Sequence, residues 1–227
     1  MFDRQNIRHP DCTKLILHYD CEYQGYPVLR PGEGPLIAQY LDSSLQTIHK
    51  AFMDYGRLFA FRVDLRYPAN MNHQPMHDDN RVLKNFFGYF SYELQRLNTK
   101  YRSKVRYIWA REKNHSHLPH YHLMFLLNYD AFNSLGSAEQ SPGGGYFGDN
   151  MYHRLVRSWA KAIDWPLEQM GGLVHICQSP DTGQWSQCVI RGDAQGMNEL
   201  VRTASYLCKA HTKYFGQRSH NFGASRV

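Results

Sequence analysis

Apolar residues recur every three or four positions in the segment PLIAQYLDSSLQTIHKAFMDYG, which begins at Pro35. This period predicts an amphipathic helix over residues 36–54. The next segment, RLFAFRVDLRYP, alternates instead between two sets of positions. One set is Phe59, Phe61, Val63 and Leu65, and the other is Ala60, Arg62, Asp64 and Arg66. Such alternation predicts a strand with one apolar, buried face and one mostly polar face.

The same two periods recur along the rest of the chain. They predict helices over residues 81–101, 150–164 and 194–211, the first beginning after an N-cap at Asp79 or Asn80. They also predict strands over 104–112, 120–128, 173–178 and 185–190. The clearest linker is residues 137–150, which contain a proline and a glycine triplet.

The order of these elements indicates an α+β fold. From Leu58 onward the order is β-α-β-β-α-β, a further strand and a helix, which is the split βαβ arrangement of RRM-like domains. We therefore expect a central antiparallel sheet with helices on one face. The third strand, residues 120–128, is expected at its centre. We divide the chain into an N-terminal extension, residues 1–35, and one domain, residues 36–227.

Composition narrows the class of protein. A chain of 227 residues with 42% hydrophobic residues can fill one large core. The five cysteines are scattered and never in CxxC spacing, which is typical of a reducing compartment. The start MFDRQNIRHPDCTK lacks an apolar signal region, and no apolar run is long enough to span a bilayer. We expect a soluble cytoplasmic protein with no membrane partner.

The charge distribution favours an anionic partner. The formal net charge is +6, and residues 81–113 hold nine Lys or Arg against two Glu. A basic, solvated helix face would give the same pattern, so charge alone leaves both interpretations open.

Two histidines on one predicted strand are candidate metal ligands. His120 and His122 are two positions apart, so both side chains emerge on the same face of the strand. An oxygen donor as third ligand would suit Mg²⁺ or Mn²⁺. Glu112 on the neighbouring strand is the favoured third ligand and Asp64 is its rival, because the register between strands cannot be read from the sequence. His115 and His117, in the preceding polar loop, are expected to contact solvent or a DNA backbone.

Tyr206 and Lys209 are the candidate catalytic pair. They are three positions apart on the predicted last helix, so they share one face. A free phenol has a pKa near 10 and is a poor nucleophile. A neighbouring lysine and a divalent ion would favour the phenolate and stabilise charge on an attacked phosphate. Taken alone, the tyrosine is equally compatible with a structural position at the core edge.

Several short motifs resemble one family. The HYH strand, with YLCK on a later helix, resembles the His-hydrophobic-His (HUH) endonucleases of rolling-circle replication. More closely, FRVDLRYP, YIWARE, LPHYHLMFLLN, ASYLCKAHTKYFG and the terminal NFGASR resemble the inovirus-type replication initiation proteins, the YagK/YfjJ C-terminal domain family. The likeness covers about residues 36–226.

The resemblance implies a metal-dependent initiator that nicks and rejoins phage or prophage origin DNA through a covalent 5′-phosphotyrosine. It implies that His120, His122 and Glu112 hold the metal, that Tyr206 attacks the scissile phosphate, and that Lys209 supports its charge. Arg62, Arg66 and Lys213 are the expected phosphate contacts. The implied partners are single-stranded and supercoiled origin DNA and the host replication machinery, in a bacterial cytoplasm.

Some of these expectations have alternatives. Tyr214 is a weaker candidate for a second nucleophile. The other possibility is a mechanism with a single tyrosine per chain, in which a second protomer carries out termination. A non-catalytic DNA-binding protein of a decayed prophage is the alternative function. A cupin-type metalloenzyme also uses His-x-His, but it would need a barrel of short strands without intervening helices. The terminal NFGASR has no physical account beyond a polar tail.

Overall fold

A six-stranded antiparallel sheet forms the centre of the protein. The structure is a computed structural model that describes residues 7–29, 34–113, 118–179, 183–213, 215 and 219–226. Its strands are β1 (Arg8–His9), β2 (Cys12–His18), β3 (Glu22–Tyr23), β4 (Tyr26–Pro27), β5 (Leu36–Ile37), β6 (Arg57–Leu65), β7 (Arg106–Glu112), β8 (His120–Asn128), β9 (Val174–Cys177), β10 (Gln187–Ile190) and β11 (Phe222–Ala224). Its α-helices are α1 (Ala38–Asp54), α2 (Arg81–Gln95), α3 (Met151–Ile163) and α4 (Ala194–Ser205).

The central sheet has the order β10-β6-β8-β7-β11, and β9 also pairs with β6. Strand β8 therefore lies in the middle, as the element order predicts. Its run of apolar residues explains the position, because a strand that is apolar on both faces has to be covered on both faces. The α+β class with a central antiparallel sheet is confirmed.

The placement of the helices differs from the expectation in one detail. Helices α2 and α3 cover one face, where they pack on Leu123 and Phe125. Helices α1 and α4 cover much of the other face, where they pack on Met124 and Leu126. Helices therefore lie on both faces and not on one, because β8 presents large apolar side chains to both sides. The polar end of this second face, where β8 begins, holds the candidate site.

The last helix is shorter than its pattern predicts. Helix α4 ends at Ser205, a 3₁₀ turn follows at Tyr206–Cys208, and Lys209 has an extended backbone with φ −53° and ψ 133°. The chain leaves the helix because Lys209 forms a bridge with Leu36, and the backbone N–H of Ala210 donates to the carbonyl of Pro35 at 3.0 Å. Helix α2 likewise ends at Gln95, before the predicted residue 101.

Strands β9 and β10 do not form a hairpin with each other. Both pair with β6 in succession, β10 with its first half and β9 with its second. The register passes from the pair Gln187–Ala60 to the pair Cys177–Arg62. This interrupted edge is a feature that local sequence periodicity does not show.

The NFGASR segment is part of the sheet and not a polar tail. Strand β11 pairs with β7 and extends the sheet at that edge. Gly223 lies directly against the indole of Trp109, since a Cβ at this position would be 2.7 Å from Trp109 Nε1. The glycine is therefore required by a close approach between the backbone and an aromatic side chain.

The N-terminal residues form a small separate sheet, β1-β2-β5, which joins the domain through β5. Leu17 of this sheet packs with Ile37 and with Ala210 beyond α4. The division at residue 35 stays a prediction. Among the described residues, no helix is both long and apolar enough to cross a membrane.

Candidate metal and tyrosine site

Three side chains from two neighbouring strands meet at the polar end of the sheet. In the register between β7 and β8, Glu112 is opposite His120 and Ala110 is opposite His122. This pairing places the carboxylate beside both imidazoles on one face. One ligand atom from each of Glu112, His120 and His122 lies within 4.8 Å of the others, a grouping that can hold a metal ion.

The two oxygens of Glu112 face different partners. Oε1 accepts hydrogen bonds from Lys213 Nζ at 2.7 Å and from Thr212 Oγ1 at 2.6 Å. Oε2 lies 3.2 Å from His122 Nε2 and 3.8 Å from His120 Nε2. One oxygen is thus anchored while the other is directed at the histidines. Two imidazole nitrogens and one carboxylate oxygen fit a divalent cation, with positions left for a substrate or water oxygen.

Asp64, the rival third ligand, contacts the other side of His122. Its Oδ1 lies 2.5 Å from His122 Nδ1, and it also accepts a hydrogen bond from the Cys177 thiol at 3.2 Å. A carboxylate on the second nitrogen of a ligand histidine fixes the ring orientation and its tautomer. The structure therefore places Glu112 with the ligand group and gives Asp64 a positioning role.

Charge and burial shift the pKa of each group in this cluster. Burial alone would raise the pKa of the Asp64 and Glu112 carboxyls. Their hydrogen bonds with His122 and the charge of that residue, together with Lys213 at Glu112 and with Cys177 and Arg62 at Asp64, outweigh burial, so both pKa values are lowered. Burial would lower the pKa of His122, but the same two hydrogen bonds raise it. Burial and the neighbouring His122 lower the pKa of His120. Both carboxylates are consequently ionised at neutral pH, as metal ligation requires.

Tyr206 lies beside the histidine pair. Its half-buried ring meets the His122 ring edge-on, with 5.4 Å between the centroids. The Arg62 guanidinium carbon lies 4.0 Å from the Tyr206 ring centroid, and Lys209 Nζ lies 3.8 Å from it. The 3₁₀ turn accounts for the last contact, because residues three apart are nearly eclipsed in a 3₁₀ helix.

The lysine acts on the tyrosine differently from the sequence-based expectation. Lys209 lies over the aromatic ring, which is a cation–π contact. Burial raises the pKa of the Tyr206 phenol, and the charge of Arg62 offsets only part of this effect. In the protein alone the phenol is therefore protonated at neutral pH, so further positive charge at the site would be needed to favour the phenolate.

The three predicted phosphate contacts have different surroundings. Arg66 is exposed at the rim of the site, with its Nη2 3.7 Å from Asp64 Oδ2. Arg62 is mostly buried under Tyr206. The ammonium of Lys213 is fully buried against Glu112, so the structure favours a role in anchoring that carboxylate over a contact with DNA.

Sequence reasoning missed two side chains of this site and could not place others. Thr212 and Cys177 bind the two carboxylates. Thr212 lies within the segment ASYLCKAHTKYFG, but nothing in its spacing assigned it a role, and Cys177 lies in none of the quoted motifs. His115, His117 and Tyr214, which were assigned roles from the sequence, lie outside the described residues.

Comparisons with known proteins identify relatives of the chain. Residues 20–225 match the family model described as the YagK/YfjJ C-terminal domain. The chain is 29% identical over 190 residues to the protein YagK of Escherichia coli strain K12, covering 76% of this chain and 85% of YagK. It is 26% identical over 210 residues to YfjJ of the same strain, covering 85% of this chain and 96% of YfjJ. Both relatives are described as uncharacterised, and no solved structure matches the chain significantly.

Proposed function

This chain belongs to the YagK/YfjJ C-terminal domain family, and we propose that it is a metal-dependent DNA nickase that acts through Tyr206. The observation that carries the proposal is the contact of the Tyr206 ring with His122, one of three side chains that can hold a single metal ion. A nucleophile, a metal site and cationic side chains are the groups that cleavage of a phosphodiester by a tyrosine requires.

The proposed reaction transfers a DNA strand to the tyrosine. The Tyr206 oxygen attacks the scissile phosphorus and forms a new P–O bond, while the bond from phosphorus to the 3′ oxygen breaks. The phenol loses its proton, and the departing 3′ oxygen gains one to become a free hydroxyl. The 5′ end stays on the protein as a phosphotyrosine, which conserves the bond energy for rejoining.

The residues around Tyr206 support this transfer. Lys209 and Arg62 lie over the Tyr206 ring, where their charges favour the phenolate. The same charges would lie close to the phosphate that Tyr206 attacks. Arg66 at the rim would bind the flanking DNA backbone, which makes binding salt-dependent. Mg²⁺ or Mn²⁺ held by Glu112 and the two histidines would polarise a phosphate oxygen.

The proposed biological setting follows the family resemblance to inovirus-type rolling-circle initiators. The substrate would be single-stranded or supercoiled origin DNA of a phage or prophage in a bacterial cytoplasm. The host replication machinery would extend the 3′-hydroxyl, and a second protomer could supply the tyrosine that terminates the round.

The alternative is a DNA-binding protein that does not cut. It would need neither a metal nor the Tyr206 hydroxyl. The buried and fully partnered Glu112 argues against it, since a decayed site has no reason to keep a buried carboxylate with hydrogen-bonded partners.

A cleavage assay tests the proposal. End-labelled single-stranded DNA, tiled from the non-coding DNA beside the gene, is incubated with the protein and Mn²⁺ or Mg²⁺. We expect a protein–DNA adduct that survives denaturation and that disappears with EDTA or in Tyr206→Phe. Tyr92→Phe is the matched control, because Tyr92 is exposed on α2 and should leave the adduct unchanged.

Two results would contradict the proposal. An adduct that forms equally well with Tyr206→Phe would assign the nucleophile to another residue. DNA that binds but is not cut on any tile with either metal would support the non-catalytic alternative.

A further inference from the structure

Two cavities beside the candidate site share the side chain of Trp185. The larger has a volume of about 600 Å³ and follows the β9 edge of the sheet between Leu135, Tyr152 and Ile176. The smaller, about 20 Å³, lies where β9 and β10 separate. The first volume is typical of small-ligand sites. The second has room for about one water or for a single protruding polar group.

The small cavity is lined by polar atoms without partners. Arg62 Nε, both side-chain atoms of Gln187 and Thr203 Oγ1 are buried and make no hydrogen bond among the described residues. Arg62 itself is only 9% exposed. Buried polar groups in folded proteins nearly always have a partner, so this cluster marks a position for one water molecule or for one polar group of a ligand. Together they provide three donor atoms, Arg62 Nε, Gln187 Nε2 and Thr203 Oγ1, and two acceptor atoms, Gln187 Oε1 and the same Thr203 Oγ1.

Trp185 gives the same place a flat apolar surface. Its side chain is 50% exposed, whereas most large apolar side chains of this protein are buried. It lines both cavities, so one indole borders the roomy space and also the tight one that contains the unpartnered polar atoms. An exposed indole next to hydrogen-bonding groups suits a planar ligand with polar edges.

The small cavity adjoins Tyr206, and the large cavity continues from it along the β9 edge. Arg62 lines the small cavity, and its guanidinium also lies over the Tyr206 ring. His175, which lines the large cavity, pairs with Asp64 in the sheet, and Asp64 pairs with His122. Neighbouring strands are about 5 Å apart, so β9 lies about 10 Å from the strand that carries the histidine pair.

We propose that Trp185 and these cavities form a subsite for one nucleobase of single-stranded DNA next to the cut phosphate. Trp185 stacks on the base, and one protruding polar group of the base edge enters the small cavity between Arg62, Gln187 and Thr203. The inference rests on the proposed function, because it takes the strand cut at Tyr206 as the ligand. A side-chain amide pairs with the donor and acceptor on a base edge, and stacking on aromatic residues is a common way to hold unpaired bases.

The test measures binding without cleavage. Anisotropy of labelled probes is followed in EDTA, with an oligothymidine and an abasic strand of the same length. Wild type should prefer the oligothymidine. Trp185→Ala should weaken oligothymidine binding about 5- to 150-fold, as loss of one stacking contact predicts, and should leave the abasic strand nearly unchanged. Trp185→Phe retains a ring and should retain most of the preference.

A matched control separates stacking from general damage. Tyr101→Ala removes another half-exposed aromatic ring, one that lines neither cavity, and should change neither affinity. Thermal unfolding of each variant reports whether it is folded. The inference is overturned if Trp185→Ala weakens both probes equally, if it weakens neither, or if wild type does not distinguish them.

The outcomes also separate this inference from the nickase proposal. If the base preference depends on Trp185 but no adduct forms in the cleavage assay, the subsite stands and nicking fails. If an adduct forms without a Trp185-dependent preference, nicking stands and the subsite fails.

Discussion

The substitution Asp64→Asn tests the division between the metal ligands and the residue that positions them. The amide keeps the size of the side chain and can still accept the hydrogen bond from His122 Nδ1, which lies 2.5 Å away. It removes the negative charge that makes the imidazole more basic. Loss of such an outer partner costs about 10- to 100-fold in metal affinity, or about 1.4–2.7 kcal/mol.

The pH dependence of this loss has a definite sign. Asp64 raises the pKa of His122 through its hydrogen bond, although burial opposes the effect. In the wild type a proton therefore competes with the metal up to a higher pH than in Asp64→Asn. Asp64→Asn loses the negative charge that strengthens metal binding by His122, but the metal also competes less with a proton on that histidine. The difference in metal affinity between the wild type and Asp64→Asn should consequently be largest at alkaline pH and should shrink as the pH falls.

The assay is calorimetric titration of Mn²⁺ into each variant at several pH values. Glu112→Gln should lose more affinity than Asp64→Asn, because it replaces the carboxylate among the candidate ligands by a neutral amide. Asp42→Asn is the matched control. Asp42 accepts a hydrogen bond of 2.8 Å from the Tyr23 hydroxyl and is not one of the candidate metal ligands. If Asp64→Asn abolishes binding while Glu112→Gln binds normally, the assigned roles are reversed. No Mn²⁺ binding by the wild type would refute the metal site itself.

Two further predictions concern stability. Gly223→Ala would press a methyl group against Trp109 and should cost about 1–3 kcal/mol in thermal unfolding, whereas Gly56→Ala, with nothing within 4 Å of its Cβ, should cost far less. Asp54→Ala leaves the buried guanidinium of Arg106 without its ion pair and should cost about 3 kcal/mol at pH 7. The pKa of Asp54 is lower in the folded state than in the unfolded state. Its contribution to stability is therefore fully present above the unfolded-state pKa near 3.9 and is lost as the pH falls through the folded-state pKa. In urea unfolding, the free energies of the wild type and the variant should therefore converge in acid.

Local patterns were sufficient to predict much of the fold. Strand β8 has the predicted bounds, because its alternation and its apolar run lie within nine residues. The shared face of His120 and His122 follows from the two-residue period of a strand alone. The central position of β8 followed from the order of the elements. Each of these predictions depends on neighbouring residues or on connectivity.

The remaining features depend on contacts between distant parts of the chain. The choice between Glu112 and Asp64 required the register of two strand pairs, which periodicity does not fix. The end of α4 at Ser205 is set by pairing with a segment about 170 residues earlier. Lys213 reads as a surface cation in the sequence, and only the tertiary structure shows it buried against Glu112.

Electrostatic balance explains how the metal site can be preformed. Two buried carboxylates, Asp64 and Glu112, would repel each other and lose hydration if left unpaired. Lys213 compensates the charge of Glu112. The raised pKa of His122 favours a protonated imidazole, which lies between the two carboxylates. A divalent ion that replaced this proton would meet carboxylates already ionised and a histidine already oriented, so little reorganisation would oppose binding. The buried lysine therefore stabilises the Glu112 carboxylate in the interior, in a position where it could bind a metal ion.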